Sequence, residues 1–263
     1  MTLIRYLRLL GVQLRASALM AMQYRVDFAL DGLIEIFWGF TAIIPLFVVY
    51  SARESVAGWN FGESLLVVGW FTLLTGVLEG AVSPALTTVV EHIRKGTLDF
   101  VLIKPADAQF LVCTARLLPW RAVNVVTALV VFGYAFRLLG RTPTFGAIAM
   151  SLALLWASTA VLFSLGILTV SAAFYVVRID NLMHLFISIF DAARWPSAVF
   201  RGAIRFIFTF VIPLALMTTY PAQALLGTLP VSTFVLSLLG AAIFVGLSRL
   251  VWLRALGKYT SAS

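Results

Sequence analysis

Long apolar runs separated by short charged interruptions dominate the chain, and their spacing predicts helices that cross a lipid bilayer. Phe28 to Tyr50 is a first run long enough, as a helix, for a hydrocarbon core that needs about 20 residues. Glu63 to Val82 and Leu118 to Phe136 come next, the latter with Arg121 at its entry. Phe145 to Val177 carries no charge and leaves room for tilt or extension beyond the bilayer. Phe206 to Ser248 is about twice one crossing and is broken by Pro221, Gly227 and Pro230, which predicts two spans joined by an apolar, re-entrant turn over 220–230. Leu182 to Phe190 is too short to span; it reads as an interfacial helix ending at Trp195-Pro196 or as a broken first part of the fifth span. Ahead of the first span, Leu3 to Met22 mixes leucines with Arg5, Arg8 and Arg15 near one helical face, predicting an interfacial helix within residues 1–26. The expected fold class is an all-α membrane protein of six transmembrane helices in one domain over 1–263.

Composition agrees with this reading. Of 263 residues, 62% are hydrophobic and 11% charged, well above the apolar share of about one half in soluble domains. The net charge of +8 would suggest nucleic acid in a soluble protein, but in a six-span arrangement only Arg53, Arg137 and Arg141 of the nineteen Lys and Arg fall on one side. The positive-inside rule then puts both termini and the residues around 94–121 in the cytoplasm and explains the charge without nucleic acid. The arginines of Met1 to Arg25 interrupt any signal-peptide core. Cys113 alone supports neither a disulfide framework nor a thiolate cluster and reads as a small buried apolar residue. His92 and His184 complete no zinc spacing, so no metal is expected; His92 is expected to face solvent or a partner. The chain has no G-x-x-x-x-G-K-[ST] phosphate loop and no G-x-S-x-G elbow, so it is not expected to be an enzyme and no catalytic residue is assigned.

Acids inside spans need an explanation. Asp27, Asp31 and Glu35 recur every fourth position and share a face, and Glu79 lies near the end of the second run. Pairing with arginines of the surface helix is the simpler account; ion coupling is the alternative.

The most charged and turn-rich interruption is Thr88 to Ala106. Glu91 and Lys95 stand four apart and can pair, Gly96 offers a left-handed helix end, and Thr97 can cap a second short turn. Leu98, Val101 and Leu102 mark the apolar side of that turn, which Pro105 closes. By local chemistry alone this is a solvated connector between two membrane helices.

The run Glu91, Arg94 or Lys95, Gly96-Thr97-Leu98-Asp99, Leu102, Pro105 resembles the signature loop of ATP-binding-cassette (ABC) exporter permeases, with Asp99 where Glu is more usual. Arg194-Trp195-Pro196, Phe200-Arg201, Thr209 to Pro213 and Tyr220 to Gly227 resemble a bacterial permease subfamily that tends to have Tyr-Pro in place of Trp195-Pro196. The resemblance covers roughly residues 20 to 255. It implies a permease subunit in the bacterial cytoplasmic (inner) membrane, with residues 86–117 as a cytoplasmic coupling region and Pro213, Tyr220 and Pro221 at an outward turn or gate. It further implies two soluble ABC ATPase subunits that carry ATP and Mg, a second permease chain, identical or paralogous, and no cofactor on this chain. Two other readings stand beside it: an ion-coupled secondary transporter using Asp31, Glu35 and Glu79, and a non-transporting membrane scaffold. A pathway lined by common apolar residues suits lipids, peptides and hydrophobic drugs alike.

Overall fold

The computed structural model describes residues 3–23, 25–174 and 187–258, and within them every regular element is helical. The helices are α1 (Leu3–Gln23), α2 (Arg25–Thr41), α3 (Ile44–Ala52), α4 (Phe61–Arg94), α5 (Asp99–Leu102), α6 (Ala108–Cys113), α7 (Pro119–Leu139), α8 (Phe145–Ser171), α9 (Gly202–Val211), α10 (Ala215–Leu226) and α11 (Val231–Leu256). Among the described residues, five stretches are long and apolar enough to cross a membrane: Gly32–Ala52, α4, α7, α8 and α11. One end of the bundle carries the short connections 53–60, 140–144 and 227–230; the other, the terminal end, carries α1, residues 95–118 and the end of α11.

The second apolar run does not stop at Val82. It continues as α4 for 34 residues, about 51 Å at 1.5 Å per residue. Asn60 and Glu63 start it with a capping box: the Glu63 N–H donates to Asn60 Oδ1 at 2.9 Å and the Asn60 N–H to Glu63 Oε2 at 3.1 Å. Pro84 would be expected to break such a helix, because it lacks an N–H and its ring crowds the carbonyl four residues back. Here the turn ahead of it, Leu78–Val82, widens to π geometry, and the Gly80 carbonyl that Pro84 cannot serve accepts the Leu118 N–H at 2.7 Å. The same device thus preserves the rod and ties it to the start of α7.

Glycines bring these two helices together. Gly62, Gly69 and Gly76 recur every seventh residue on the face of α4 toward α7; a methyl at Gly69 would fall 2.4 Å from the Phe132 ring and one at Gly76 2.8 Å from Asn124 Cβ. Without a hydrophobic drive between helices in lipid, such close backbone approach supplies the packing. α4 is consequently the central element, with Leu65, Leu66, Val67, Val68 and Leu74 buried. By contrast, Phe37, Trp156 and Leu236 stand exposed on the outer faces of α2, α8 and α11, where lipid would solvate them.

The polar bonds of α8 set the level of α10. Ser158 Oγ donates to the Leu216 carbonyl at 3.1 Å, and Ser151 Oγ, nearer the short-loop end, donates to the Pro221 carbonyl at 3.1 Å. α10 therefore climbs toward the short-loop end. The residues before α9 lie beside the start of α10: the Ala193 carbonyl accepts from Thr218 Oγ1 at 2.7 Å, and the Ser197 N–H donates to Thr219 Oγ1 at 3.0 Å. α9 and α10 form a pair bent by 69°.

This corrects two expectations. The first half of Phe206 to Ser248, expected as a straight span, is a pair of helices bent by 69°. Tyr220 to Leu226 is helix, with Pro221 at its start, so the turn shortens to Gly227–Pro230; Gly227 takes the left-handed conformation at φ 71°. The bend lies instead at Pro213, whose predecessor Ile212 is extended as a pre-proline residue prefers. Of the interfacial piece Leu182 to Phe190, all but its last four residues, and with them His184, lies outside the described residues.

Candidate functional site

The terminal-end loop is built as a stop and a second start. After α4, Lys95 ends the helix and Gly96 adopts φ 65°, which a side chain resists. The Thr97 N–H reaches the His92 carbonyl at 2.9 Å and the Gly96 N–H the Ile93 carbonyl at 3.3 Å, the paired bonds of a Schellman cap. Lys95 Nζ donates to Glu91 Oε2 at 3.3 Å across one exposed turn. Thr97 does not cap α5: its hydroxyl bonds His92 Nδ1 at 2.8 Å, and Leu98 occupies the cap position with no side-chain bond. His92 is therefore part of the turn and not simply a solvent-facing group.

Leu98 is fully buried against the bundle, whereas Phe100 and Ile103 are 67% and 77% exposed. Leu98, on the apolar side that the spacing marks, thus faces the bundle, and the phase of this short helix turns Phe100 and Ile103 outward. Pro105 comes after it on the exposed rim beside Lys104. Arg94 and Asp99 both engage in interactions of their own.

Behind α5, Asp107 collects three elements that the sequence keeps far apart. Its carboxylate accepts the Phe110 N–H at 3.0 Å as the cap of α6 and receives both terminal nitrogens of Arg249 from α11, at 3.0 and 2.5 Å. Arg249 also donates to Gln109 Oε1 at 2.9 Å. The Asp107 N–H donates to the Tyr6 hydroxyl of α1 at 3.1 Å, and the Tyr6 ring meets Phe110 edge-on at 4.7 Å. Partial burial pushes the Asp107 pKa up, but the Arg249 bonds and charge and the Phe110 N–H outweigh it and hold the group below its ordinary value. The capping role is legible from Asp107 preceding an apolar run; its arginine, more than a hundred residues away, is not.

The second polar assembly lies between α2, α4, α7 and the 191–194 turn. Arg121 pairs with Glu35, and with Glu79 at 2.6 Å; Asn124 Nδ2 donates to Glu35 Oε2 at 3.2 Å. Glu35 therefore finds its cation on α7 and not on the surface helix. The side chains of Asp27 and Asp31 lie outside what is described. Across the cleft, Arg194 pairs with Asp191 at 3.1 Å and stands 5.2 Å over the Phe71 ring, which stacks on Phe190. These groups line an open cavity of about 570 Å³. Pro213 and Tyr220 belong to the bent pair; with Trp59, that pair encloses a second cavity of about 440 Å³ lined by Tyr220, Arg205 and Gln223. No group of three or more metal-ligating side chains occurs among the described residues.

A family model described as "ABC-2 family transporter protein" matches residues 36–263. The chain belongs to the ABC-2 transporter family. Comparison with curated proteins gives no match. An ABC-2 permease is a multi-pass membrane component that carries transport and not catalysis, and the family implies an ABC ATPase partner and a lipid bilayer. The match spans α4, α7, α8, α11, the bent pair and the terminal-end loop, and all but the first four residues of Gly32–Ala52.

Proposed function

We propose that this ABC-2 permease is the membrane subunit of an ATP-driven exporter, pairing with a second permease chain, identical or paralogous, and with two ATPase subunits that hold ATP and Mg. The observation that carries the reading is the continuity of α4, which runs as one helix from the short-loop end to the Schellman turn at Gly96 and presents Phe100 and Ile103 beyond it. Closure of two ATPases is a rigid-body motion, and a stiff rod ending in an exposed apolar knuckle suits its transmission. Residues 86–117 then form the coupling region, with Glu91, Lys95 and Lys104 as a charged rim around Phe100 and Ile103. The excess of Lys and Arg at the terminal end supports a cytoplasmic location for both termini and this loop, in a bacterial inner membrane, with α1 along the inner surface. The bent pair then faces outward, where a hinge at Pro213 suits an exit gate.

A coupled transporter using Glu35 and Glu79 is less well supported, because Arg121 already bridges the two carboxylates. A photo-crosslinking residue placed at Phe100 or Ile103 should capture the ATPase, while one at lipid-facing Trp156 should not. Capture from neither loop position, with ATPase present and the permease inserted, would remove the docking role.

A further inference from the structure

We propose that the charged cleft and an apolar groove on the other side of α2 and α3 form one binding site for a cationic amphiphile, an amine head with a hydrocarbon tail. This deepens the exporter reading by naming a substrate class and rests on it only for the direction of transport. Among the described residues lining the cleft, three carboxylates, Glu35, Glu79 and Asp191, share two guanidiniums, Arg121 and Arg194. A cleft with one surplus negative charge among these side chains favours a cation over an anion. An aromatic face is present for the same head group: Trp38, 62% exposed, lines the cleft, and an ammonium over such a ring gains further attraction.

The tail has a place of matching length. Between α2–α3 and α7 runs a groove of about 710 Å³, walled by Ile36, Phe37, Ile44 and Phe47 on one side and Val126 and Val130 on the other. Ile36 to Phe47 advances about 16 Å at 1.5 Å per residue, close to an extended dodecyl chain. Cleft and groove share Gly39 and Thr41, so a head in one lies beside a tail in the other. At Gly39 α2 packs closely on α7, where a methyl would come to 3.1 Å of Thr127 Cγ2. The groove opens on exposed Val126 and Val130, so the ligand can enter sideways from the bilayer without crossing water.

The test uses the purified full chain in phosphatidylcholine nanodiscs, without ATPase, and measures saturable binding of dodecyltrimethylammonium, dodecanoate and tetramethylammonium. Dodecyltrimethylammonium should bind at least about tenfold tighter than either of the others, since only it satisfies both compartments. Asp191→Asn, at the cleft rim, should shrink the preference for ammonium over carboxylate, and Val130→Trp, on the open groove wall, should weaken the long-chain cation while leaving tetramethylammonium unchanged. Replacing part of the lipid with phosphatidylethanolamine distinguishes the source: competition identifies a membrane aminolipid as the resident ligand, and its absence a single-chain amine. Dodecanoate binding as tightly as the cation, or both variants binding like the unaltered chain, would overturn the proposal. Because no ATPase takes part, such a failure leaves the docking role of Phe100 and Ile103 standing.

Discussion

Gly76→Ala should loosen the seam between α4 and α7. The added methyl would sit 2.8 Å from Asn124 Cβ and 3.1 Å from the Arg121 carbonyl oxygen. Neither atom is the free end of a flexible chain, so relief requires the α7 backbone to withdraw, and overpacking of this kind costs about 1–3 kcal/mol. Alanine gains at most about 1 kcal/mol over glycine in helix propensity, and a spanning helix that forms before it packs realises less. The clash wins, leaving a net loss of roughly 1–2 kcal/mol. At about 2–4 °C per kcal/mol for a chain of this order, the apparent Tm in detergent should fall by roughly 2–8 °C. Gly133→Ala, on α7, is the control, since a methyl there meets nothing within 4 Å. The readout is loss of the monodisperse peak after heating. Equal Tm values for the two variants would refute the claim that close glycine contact holds these helices together.

At the terminal end, Asp107 has a lowered folded-state pKa, so its stabilising contribution is complete above the ordinary value of 3.8 and is lost as pH falls through the lower folded-state value. Asp107→Asn should lower Tm at pH 7 and abolish that acid-side loss, and an unchanged acid profile would count against the Arg249 clamp. Gly96→Val places a β-branched residue at φ 65°, costing about 1–2 kcal/mol locally, and should reduce export per ATP hydrolysed in proteoliposomes; an unchanged ratio would make the turn a passive connector. Burial, with some help from the Asp107 charge, pushes the Cys113 thiol up to about 12, so maleimide at pH 7.5 should leave it unlabelled while Ile103→Cys reacts readily. Labelling of half-buried Cys113 at a comparable rate would contradict the raised thiol pKa.

Span-forming segments are legible in the sequence because a bilayer demands a length of apolar helix that few other environments require, and Phe145 to Ser171 or Val231 to Leu256 leaves little alternative. The bent pair is harder: α9 and α10 together have the length and apolarity of one span, and the bonds Ser158–Leu216 and Ser151–Pro221 are what reveal which way α10 runs. The seven-residue glycine spacing at Gly62, Gly69 and Gly76 is a helix-packing signal present in the chain, and a reading led by charge misses it. Partner choice between distant segments is not readable. Charge pattern points Glu35 to the nearest arginines along the chain, whereas tertiary packing delivers Arg121. In the terminal-end loop, Gly96 and the Glu91–Lys95 pair obey local rules. The inward turn of Leu98 depends on where the Schellman cap points the next helix, which spacing alone does not fix.

The central claim is that Phe100 and Ile103 form the knuckle through which ATP hydrolysis drives this ABC-2 permease. The most direct measurement reconstitutes the permease with its ATPase and compares unaltered chain with Phe100→Asp/Ile103→Asp, reading ATPase co-purification and ATP-dependent transport of a fluorescent amphiphile in the same proteoliposomes. Both positions are exposed, so the variant should fold and insert with an unchanged Tm, yet lose bound ATPase and lose transport at least about tenfold, as expected when charge is buried in an apolar contact. Full retention of the ATPase and of ATP-dependent transport by the double variant would contradict the account.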